Sequence, residues 1–308
     1  MIRKSAIIGR RTFLALATAA VAAPALALAD TPQGRIETLG VAGPGDHPDL
    51  RVRIWLPPGY ERSRRRFRTL YMLDGQFVFE GDSDGMNFAT DRRVARLAAA
   101  GTIQPTLIVA IDNLEDDRFL QYMPQTIYDQ AEGDLRAAID REIARTEGRP
   151  LVSAQFIEYL TTRLKPFVDT HYRTRPGRLD TAIFGASMAG VMAGAIFVEA
   201  QQAFGLGCCM SPNWPIYDVR MIEHPQLVSL WPDYFARLGA PAGRRLWLDH
   251  GTEMMDAGMG PHQDRIAQRL AELGWRRGRN LETRVYQAGH AFAETAVQMG
   301  EMLAWLLA

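Results

Sequence analysis

Cysteine is almost absent from this chain: its 308 residues hold two, Cys208 and Cys209, and they are adjacent. A bridge between sequence neighbours is strained and rare, so there is no disulfide framework and stability must come from a hydrophobic core. The apolar run Gly205 to Met210 around them reads as a buried strand, and two core thiols or one packed pair are expected. An excess of positive charge is also missing, since 35 basic residues face 35 acidic ones. Four of the basic residues, Arg3, Lys4, Arg10 and Arg11, lie in the leader described below, which leaves 31 basic against 35 acidic and about −4 for the mature chain. That balance argues against nucleic acid as a partner. The five arginines between Arg62 and Arg68 lie between two strand-like segments and read as a solvated loop. The six histidines lack zinc-site spacing, and His250 and His262 do not form a helix-face pair, so neither a metal nor an organic cofactor is implied. Long repeats, heptads and low-complexity linkers are absent as well.

What is present begins with a leader. The basic residues at positions 3 to 11 precede an apolar stretch from Phe13 to Leu28, which ends in the small-x-small site Ala27-Leu28-Ala29. Residues 1–29 are therefore expected to be an export signal. Gly9-Arg10-Arg11-Thr12-Phe13-Leu14 resembles the twin-arginine motif, which implies a periplasmic or secreted protein that crosses already folded. The apolar run falls short of the ~20 residues of a spanning helix, so no stable membrane insertion is expected once the signal is removed.

Beyond the leader, strand-length apolar runs alternate with amphipathic helical stretches. Arg35 to Val41 and Leu50 to Leu56 form an expected antiparallel opening pair, followed by strands at Thr69 to Leu73, Thr106 to Ile111, Leu179 to Gly185, Leu206 to Met210, Arg245 to Asp249 and Glu282 to Gln287. Helices are expected over Asp91 to Ala100, Ala154 to His171, Pro261 to Leu273 and Glu294 to Ala308, with a further one after Gly190. This is the pattern of an α/β-hydrolase fold: a mostly parallel eight-stranded sheet with helices on both faces, in a single domain over residues 30–308. Residues 113–153, with helical potential in Asp134 to Glu147, and residues 213–243 break the alternation. They read as insertions over the active face that select the substrate.

The segment Gly185-Ala-Ser-Met-Ala-Gly190, where the fifth strand stops and an alanine-rich helix begins, has the form of a nucleophile elbow. A serine hydroxyl reacts only where the backbone thrusts it toward a base, and the sharp strand-to-helix turn requires small residues two positions either side. Gly185 and Ala189 satisfy this around Ser187, although the usual pattern has glycine at the second position. In this fold the acid and then the histidine follow the serine. His290, in the turn after the last strand, is the expected base, with His250 as substitute, while His47 and His171 precede the serine and read as structural. The loop after the seventh strand offers Asp249, Glu253 and Asp256 as acids, and spacing alone does not choose among them. The oxyanion donors are expected to be the backbone N–H of Met188 and that of Gln76 in Asp74-Gly75-Gln76, with Gly75 as alternative.

These residues make the chain resemble the putative-esterase family of α/β-hydrolases, and most of all its enterochelin-esterase-like members. The resemblance runs through Val52-Arg-Ile-Trp-Leu-Pro-Pro-Gly-Tyr60, Leu70-Tyr-Met-Leu-Asp-Gly-Gln76, Arg118 with Gln121-Tyr122-Met123-Pro124, Leu164-Lys-Pro-Phe-Val-Asp-Thr-His-Tyr-Arg-Thr174, Met210-Ser-Pro-Asn-Trp-Pro215 and Asp249-His-Gly-Thr-Glu-Met-Met-Asp-Ala257. It implies that the acid is Asp256, at the Met255-Asp256-Ala257 step, and it supports His290, which follows Gly289 and precedes Glu294. Departures fall at Ala189, where glycine is usual, and at Gln121, where a glutamate commonly precedes the tyrosine.

The expectation is a serine ester hydrolase that uses Ser187, His290 and Asp256 on a small-molecule ester of siderophore, aromatic or carbohydrate type. Phe77, Tyr122, Met188 and Trp214 are expected around the substrate. An acyltransferase on the same triad, or a binding protein that kept the fold and lost the activity, are the rival readings. Nothing in the pattern speaks to oligomeric state.

Overall fold

The computed structural model describes residues 34–41 and 50–308. The export signal at 1–29 and the structural role given to His47 lie outside the described residues. Eight strands form one sheet: β1 (Arg35–Val41), β2 (Leu50–Leu56), β3 (Arg68–Leu73), β4 (Thr106–Ile111), β5 (Thr181–Ala186), β6 (Leu206–Met210), β7 (Arg245–Gly251) and β8 (Leu281–Tyr286). Their order across the sheet is β1-β2-β4-β3-β5-β6-β7-β8. β1 and β4 both pair antiparallel with β2, and every pairing from β4 onward is parallel. This is the α/β-hydrolase arrangement, and the chain's strand-length apolar runs produce it because both faces of each central strand are covered.

In chain order the helices are α1 (Thr90–Ala99), α2 (Arg118–Tyr122), α3 (Gln125–Gln130), α4 (Gly133–Ala144), α5 (Ser153–Tyr159), α6 (Lys165–His171), α7 (Met188–Glu199), α8 (Pro225–Ala236), α9 (Gly260–Glu272) and α10 (Phe292–Leu306). The single helix expected over Ala154 to His171 is a continuous run, but a π turn at Leu160–Leu164 separates α5 from α6. Pro166, in the first turn of α6, has no N–H to return to the carbonyl four residues earlier, and the ladder widens there. No helix among the described residues is long and apolar enough to cross a membrane.

Strand alternation divides the core into two layers. Tyr71 and Leu73 of β3 join the layer built with α7, while Leu70 and Met72 join the layer built with α1 and α10. The same rule separates the two cysteines, because neighbours on a strand point to opposite faces. Cys208 packs on the α1/α10 side and Cys209 on the α7 side, both buried and free. They are two core thiols, and the alternative of a single packed pair is excluded by the pleat.

Helix α7 is buried on nearly every side. It owes this to small residues that let strands and α8 approach: a Cβ on Gly194 would lie 2.9 Å from the Phe235 ring and 3.2 Å from Cys209 Sγ. The two irregular stretches leave the carboxyl ends of β4 and β6 but do not stay over the active face as expected: Thr126 of α3 and Tyr234 of α8 both donate to Glu199, the last residue of α7. Residues 113–153 contain α2 to α4, and α2 brings Arg118 to Asp74 just beyond β3. Strand β7 runs two residues further than expected, so His250 lies inside it opposite Val285 rather than at its end.

Candidate active site

Ser187 stands between β5 and α7 with φ 59° and ψ −127°. A left-handed φ on a residue with a side chain costs about 1–3 kcal/mol and persists only where the surroundings impose it. Here the Ser187 N–H donates to the Met210 carbonyl at 3.0 Å, and the Ser187 carbonyl accepts from Asn213 N–H at 3.2 Å, tying the turn to the end of β6. Gly185 supplies the room. A Cβ there would come within 1.9 Å of the Ala189 carbonyl oxygen, a backbone atom that cannot step aside. Gly185→Ala is therefore expected to destabilise the fold by about 3 kcal/mol or more, read as a lowered urea midpoint with an unchanged m-value. Ala189 itself is buried within α7, and the next close approach falls on Gly190, whose Cβ would sit 3.1 Å from the Met210 carbonyl oxygen. A methyl at position 189 is thus tolerated because its neighbours carry the tight contacts.

The histidine reaches the serine from the loop between β8 and α10. His290 Nε2 lies 2.8 Å from Ser187 Oγ, and its Nδ1 lies 2.5 Å from Asp256 Oδ1. Asp256 sits fully buried in the short 3-10 turn Met254–Gly258 after β7, where its second oxygen accepts the Gly251 N–H at 3.0 Å. Burial by itself would raise this carboxyl, but the hydrogen bonds with His290 and Gly251, and the imidazole's charge when protonated, outweigh it and hold it below the usual carboxylate range. The two loops are locked together: a Cβ on Gly251 would lie 2.1 Å from the Ala288 carbonyl oxygen, and Glu294 accepts the Gly289 N–H at 2.8 Å.

The other acids go elsewhere. Glu253 is exposed, and its backbone N–H donates to Ala288. Asp249 is completely buried away from His290 and accepts from Trp247 Nε1 at 2.6 Å and Ser211 N–H at 2.8 Å. Burial, above all, pushes Asp249 up to about 7. Between its ordinary value near 3.8 and that folded value, the native state holds a proton that the unfolded chain has lost, so this group's contribution to stability falls as pH rises. The slope is about 1.4 kcal/mol per pH unit for one proton. Asp249→Asn is expected to remove that slope, so that the difference in urea stability between variant and parent moves in the variant's favour from pH 4 to pH 7 and is flat above.

The two expected oxyanion donors each adjoin a residue that lines the cavity, Met188 next to Ser187 and Gln76 next to Phe77. Met188 N–H is the first of α7 and has no acceptor within the helix, and it lies at the positive end of the helix dipole. Gln76 is the middle residue of a 3-10 turn, Gly75–Phe77, directly after Asp74, whose own φ is 53°. The cavity beside Ser187 and His290 has a volume of about 190 Å³. One wall is apolar, with Leu73, Phe77, Phe88 and Phe292, the last two rings 4.5 Å apart. The opposite wall carries Asp74, Arg118 and Ser211. Arg118 grips Asp74 through Nε at 2.9 Å and Nη2 at 2.6 Å, and Asn113 Nδ2 donates to the same carboxylate at 2.7 Å.

A family model described as "Putative esterase" matches residues 47–306. The chain belongs to that family. No curated protein sequence matches it. Among solved structures, a ferulic acid esterase from Anaeromyces mucronatus in complex with ferulic acid is similar at TM-score 0.61 and 17% identity, with 91% of each chain covered. An IroE-like serine hydrolase from Shewanella oneidensis gives 0.60 and 15%, over 89% of this chain and 80% of the other. The enterobactin esterase FES from Shigella flexneri, in the presence of 2,3-dihydroxy-N-benzoyl-serine, gives 0.62 and 16% over 89% of this chain and 60% of its own. At these identities the likeness is one of fold. Family membership makes this chain an esterase by class.

Within the family frame, Ser187, His290 and Phe77 line one cavity, Asp256 stands behind His290, and Gln76 and Met188 adjoin lining residues in the chain without lining it themselves; two residues expected there are absent from its wall. Tyr122 is fully buried behind the cavity, its hydroxyl accepting the Asp74 N–H at 3.1 Å. Trp214 is also fully buried, with its ring 5.0 Å from that of Trp231 and 5.7 Å from that of Phe235. Both aromatics belong to the core layer packed with α7 rather than to the cavity wall. The Met188 side chain is buried too, so that residue offers only its N–H. Gln121 is likewise enclosed, with Oε1 accepting the Leu114 N–H at 3.0 Å. Asp74, Phe88, Ser211 and Phe292 escaped the sequence reading as cavity residues, although Asp74 and Ser211 stand in the segments that carry the family resemblance. A larger surface cleft of about 460 Å³ lies beside α5, α6 and the end of α7. Its charged groups are bonded within the protein: Lys165 to Asp169 and Glu199 to Tyr234.

Proposed function

We propose that the protein is an exported serine carboxylic-ester hydrolase that works through an acyl-enzyme on Ser187. The observation that carries this reading is the unbroken hydrogen-bond chain from Ser187 through His290 to Asp256, with Ser187 held at positive φ. Ser187 Oγ attacks the ester carbonyl while His290 Nε2 takes its proton. Asp256 keeps Nδ1 protonated, so that Nε2 is the free acceptor, and it stabilises the imidazolium that forms. The Gln76 and Met188 N–H groups meet the developing oxyanion. The intermediate collapses as the leaving alkoxide takes the proton from His290. Water, deprotonated by His290, then attacks the acyl-serine and releases the acid. Side chains and backbone supply every proton and every counter-dipole, so these steps call for no cofactor.

The three phenylalanines suit an apolar or aromatic acyl group, and the structural neighbours were solved with aromatic acids, ferulic acid and 2,3-dihydroxy-N-benzoyl-serine. A small aromatic, siderophore or carbohydrate ester is the proposed substrate. The leader at 1–29 places the enzyme in the periplasm or outside the cell. The test is hydrolysis of short-chain p-nitrophenyl esters by the mature protein, with mass detection of a fluorophosphonate adduct. Turnover together with labelling at Ser187 supports the reading, whereas a folded protein that does neither defeats it and favours a binding protein.

A further inference from the structure

Arg53 lies on β2, remote from the triad in sequence and buried to 8% exposure, yet it reaches into the loop that supplies the Gln76 donor. Its Nη2 donates to the Gly75 carbonyl oxygen at 2.6 Å. The same guanidinium is held from the other side by Asp82, through Nη1 to Oδ1 at 2.7 Å and Nη2 to Oδ2 at 2.9 Å. Asp82 in turn accepts the Phe79 N–H at 2.8 Å, and the Phe79 ring lies 4.9 Å from the guanidinium carbon. The position of Gly75 is fixed by contact as well, since a Cβ there would come within 2.6 Å of the Asp112 backbone nitrogen at the end of β4.

The Gly75 carbonyl and the Gln76 N–H belong to one peptide group. In a trans peptide they point in opposite directions within one plane. A cation bonded to the oxygen therefore sets where the N–H points, and it draws electron density from the amide, which makes the N–H a stronger donor. We infer that Arg53, anchored by Asp82, is a positioning residue for oxyanion stabilisation, aiming and polarising the Gly75–Gln76 peptide from behind. This rests on the reading of Gln76 N–H as an oxyanion donor in a serine hydrolase.

Deleting one oxyanion donor outright costs about 10²- to 10³-fold in kcat, so weakening one should cost about 10- to 100-fold. The experiment compares wild type, Arg53→Met, Arg53→Lys and Asp82→Asn, each checked for folding by circular dichroism, on a p-nitrophenyl ester. Arg53→Met is expected to lose that factor in kcat with KM within about twofold, because the donor acts on the transition state more than on the ground state. Arg53→Lys, which keeps a cationic donor, is expected to recover most of it. The second readout is the infrared carbonyl band of a trapped ¹³C-labelled acyl-enzyme, which rises in frequency in Arg53→Met as the bond from Gln76 weakens. A bracing role alone would lower the melting temperature and leave this band in place. If Arg53→Met does not fold, the band and the rate of Asp82→Asn, which takes away the bidentate carboxylate and leaves Asp112 at 3.9 Å as the guanidinium's remaining acid, decide. An unshifted band with unchanged kcat in the folded variants overturns the inference alone. A wild type that neither turns over nor is labelled overturns the hydrolase reading and this inference with it.

Discussion

Replacing Ser187 by alanine is expected to lower kcat for a p-nitrophenyl ester by about 10⁴- to 10⁶-fold and to abolish the fluorophosphonate adduct. In the proposed mechanism the hydroxyl 2.8 Å from His290 Nε2 forms the acyl bond, and no other side chain lining the cavity takes its place in that relay. The fold should survive the change. Alanine at φ 59° bears the same kind of strain as serine, and the hydrogen bonds that enforce the turn come from the backbone of Met210 and Asn213. The residual rate would come from the oxyanion donors and from binding. A Ser187→Ala protein that keeps its rate within tenfold, or that is labelled elsewhere, would remove the nucleophile from this account.

Asp256→Asn is expected to lower kcat by about 10⁴-fold while leaving the secondary structure unchanged. The reason is a tautomer. As a carboxylate, Asp256 can only accept, so His290 must carry its proton on Nδ1 and present a bare Nε2 to Ser187. An asparagine amide can donate to Nδ1 instead, which puts the proton on Nε2, facing the serine, where it blocks the base. Because hydrogen bonds to His290 and Gly251 hold Asp256 below the usual carboxylate range, the residue should stay ionised through mildly acidic pH and the wild-type rate should not depend on its titration there. Glu253→Gln serves as the comparison, with kcat expected within about twofold, since that side chain is exposed outside the relay. Comparable losses in the two variants, measured by steady-state kinetics, would reject Asp256 as the acid.

The architecture was legible wherever a run of residues answers to one local rule. β1, β2, β4 and β6 begin and end at the residues their apolar runs mark. The elbow was equally local, because a glycine two residues before the serine and a helix directly after it are both consequences of one tight turn. Spacing did not choose the acid, and it was the family resemblance that pointed to Asp256. Asp249, Glu253 and Asp256 differ little in sequence, and what separates them is where the backbone after β7 turns: Gly251 allows contact with Ala288, and that contact delivers Asp256 rather than Asp249 to His290. Tyr122 and Trp214 were misplaced for a related reason. An aromatic side chain looks the same in sequence whether it lines a cavity or supports the layer below.

The sequence by itself determined the class of fold, the strand-to-helix turn at Ser187 and the family, since each depends on periodicity or on short runs of residues. It also determined that two adjacent strand cysteines would be core residues. The family resemblance pointed to Asp256, and the tertiary structure supplied the contact that brings it to His290; tertiary structure alone decided which aromatics line the cavity, and that Arg53 and Asp82 stand behind the Gln76 peptide. Those pairings join residues 22 to 34 positions apart, and the Arg53 contacts follow from how strands stack in the order β2-β4-β3 rather than in chain order. Local propensity carries no information about such neighbours; only the assembled sheet, with the loops at its strand ends packed together, brings them within bonding distance.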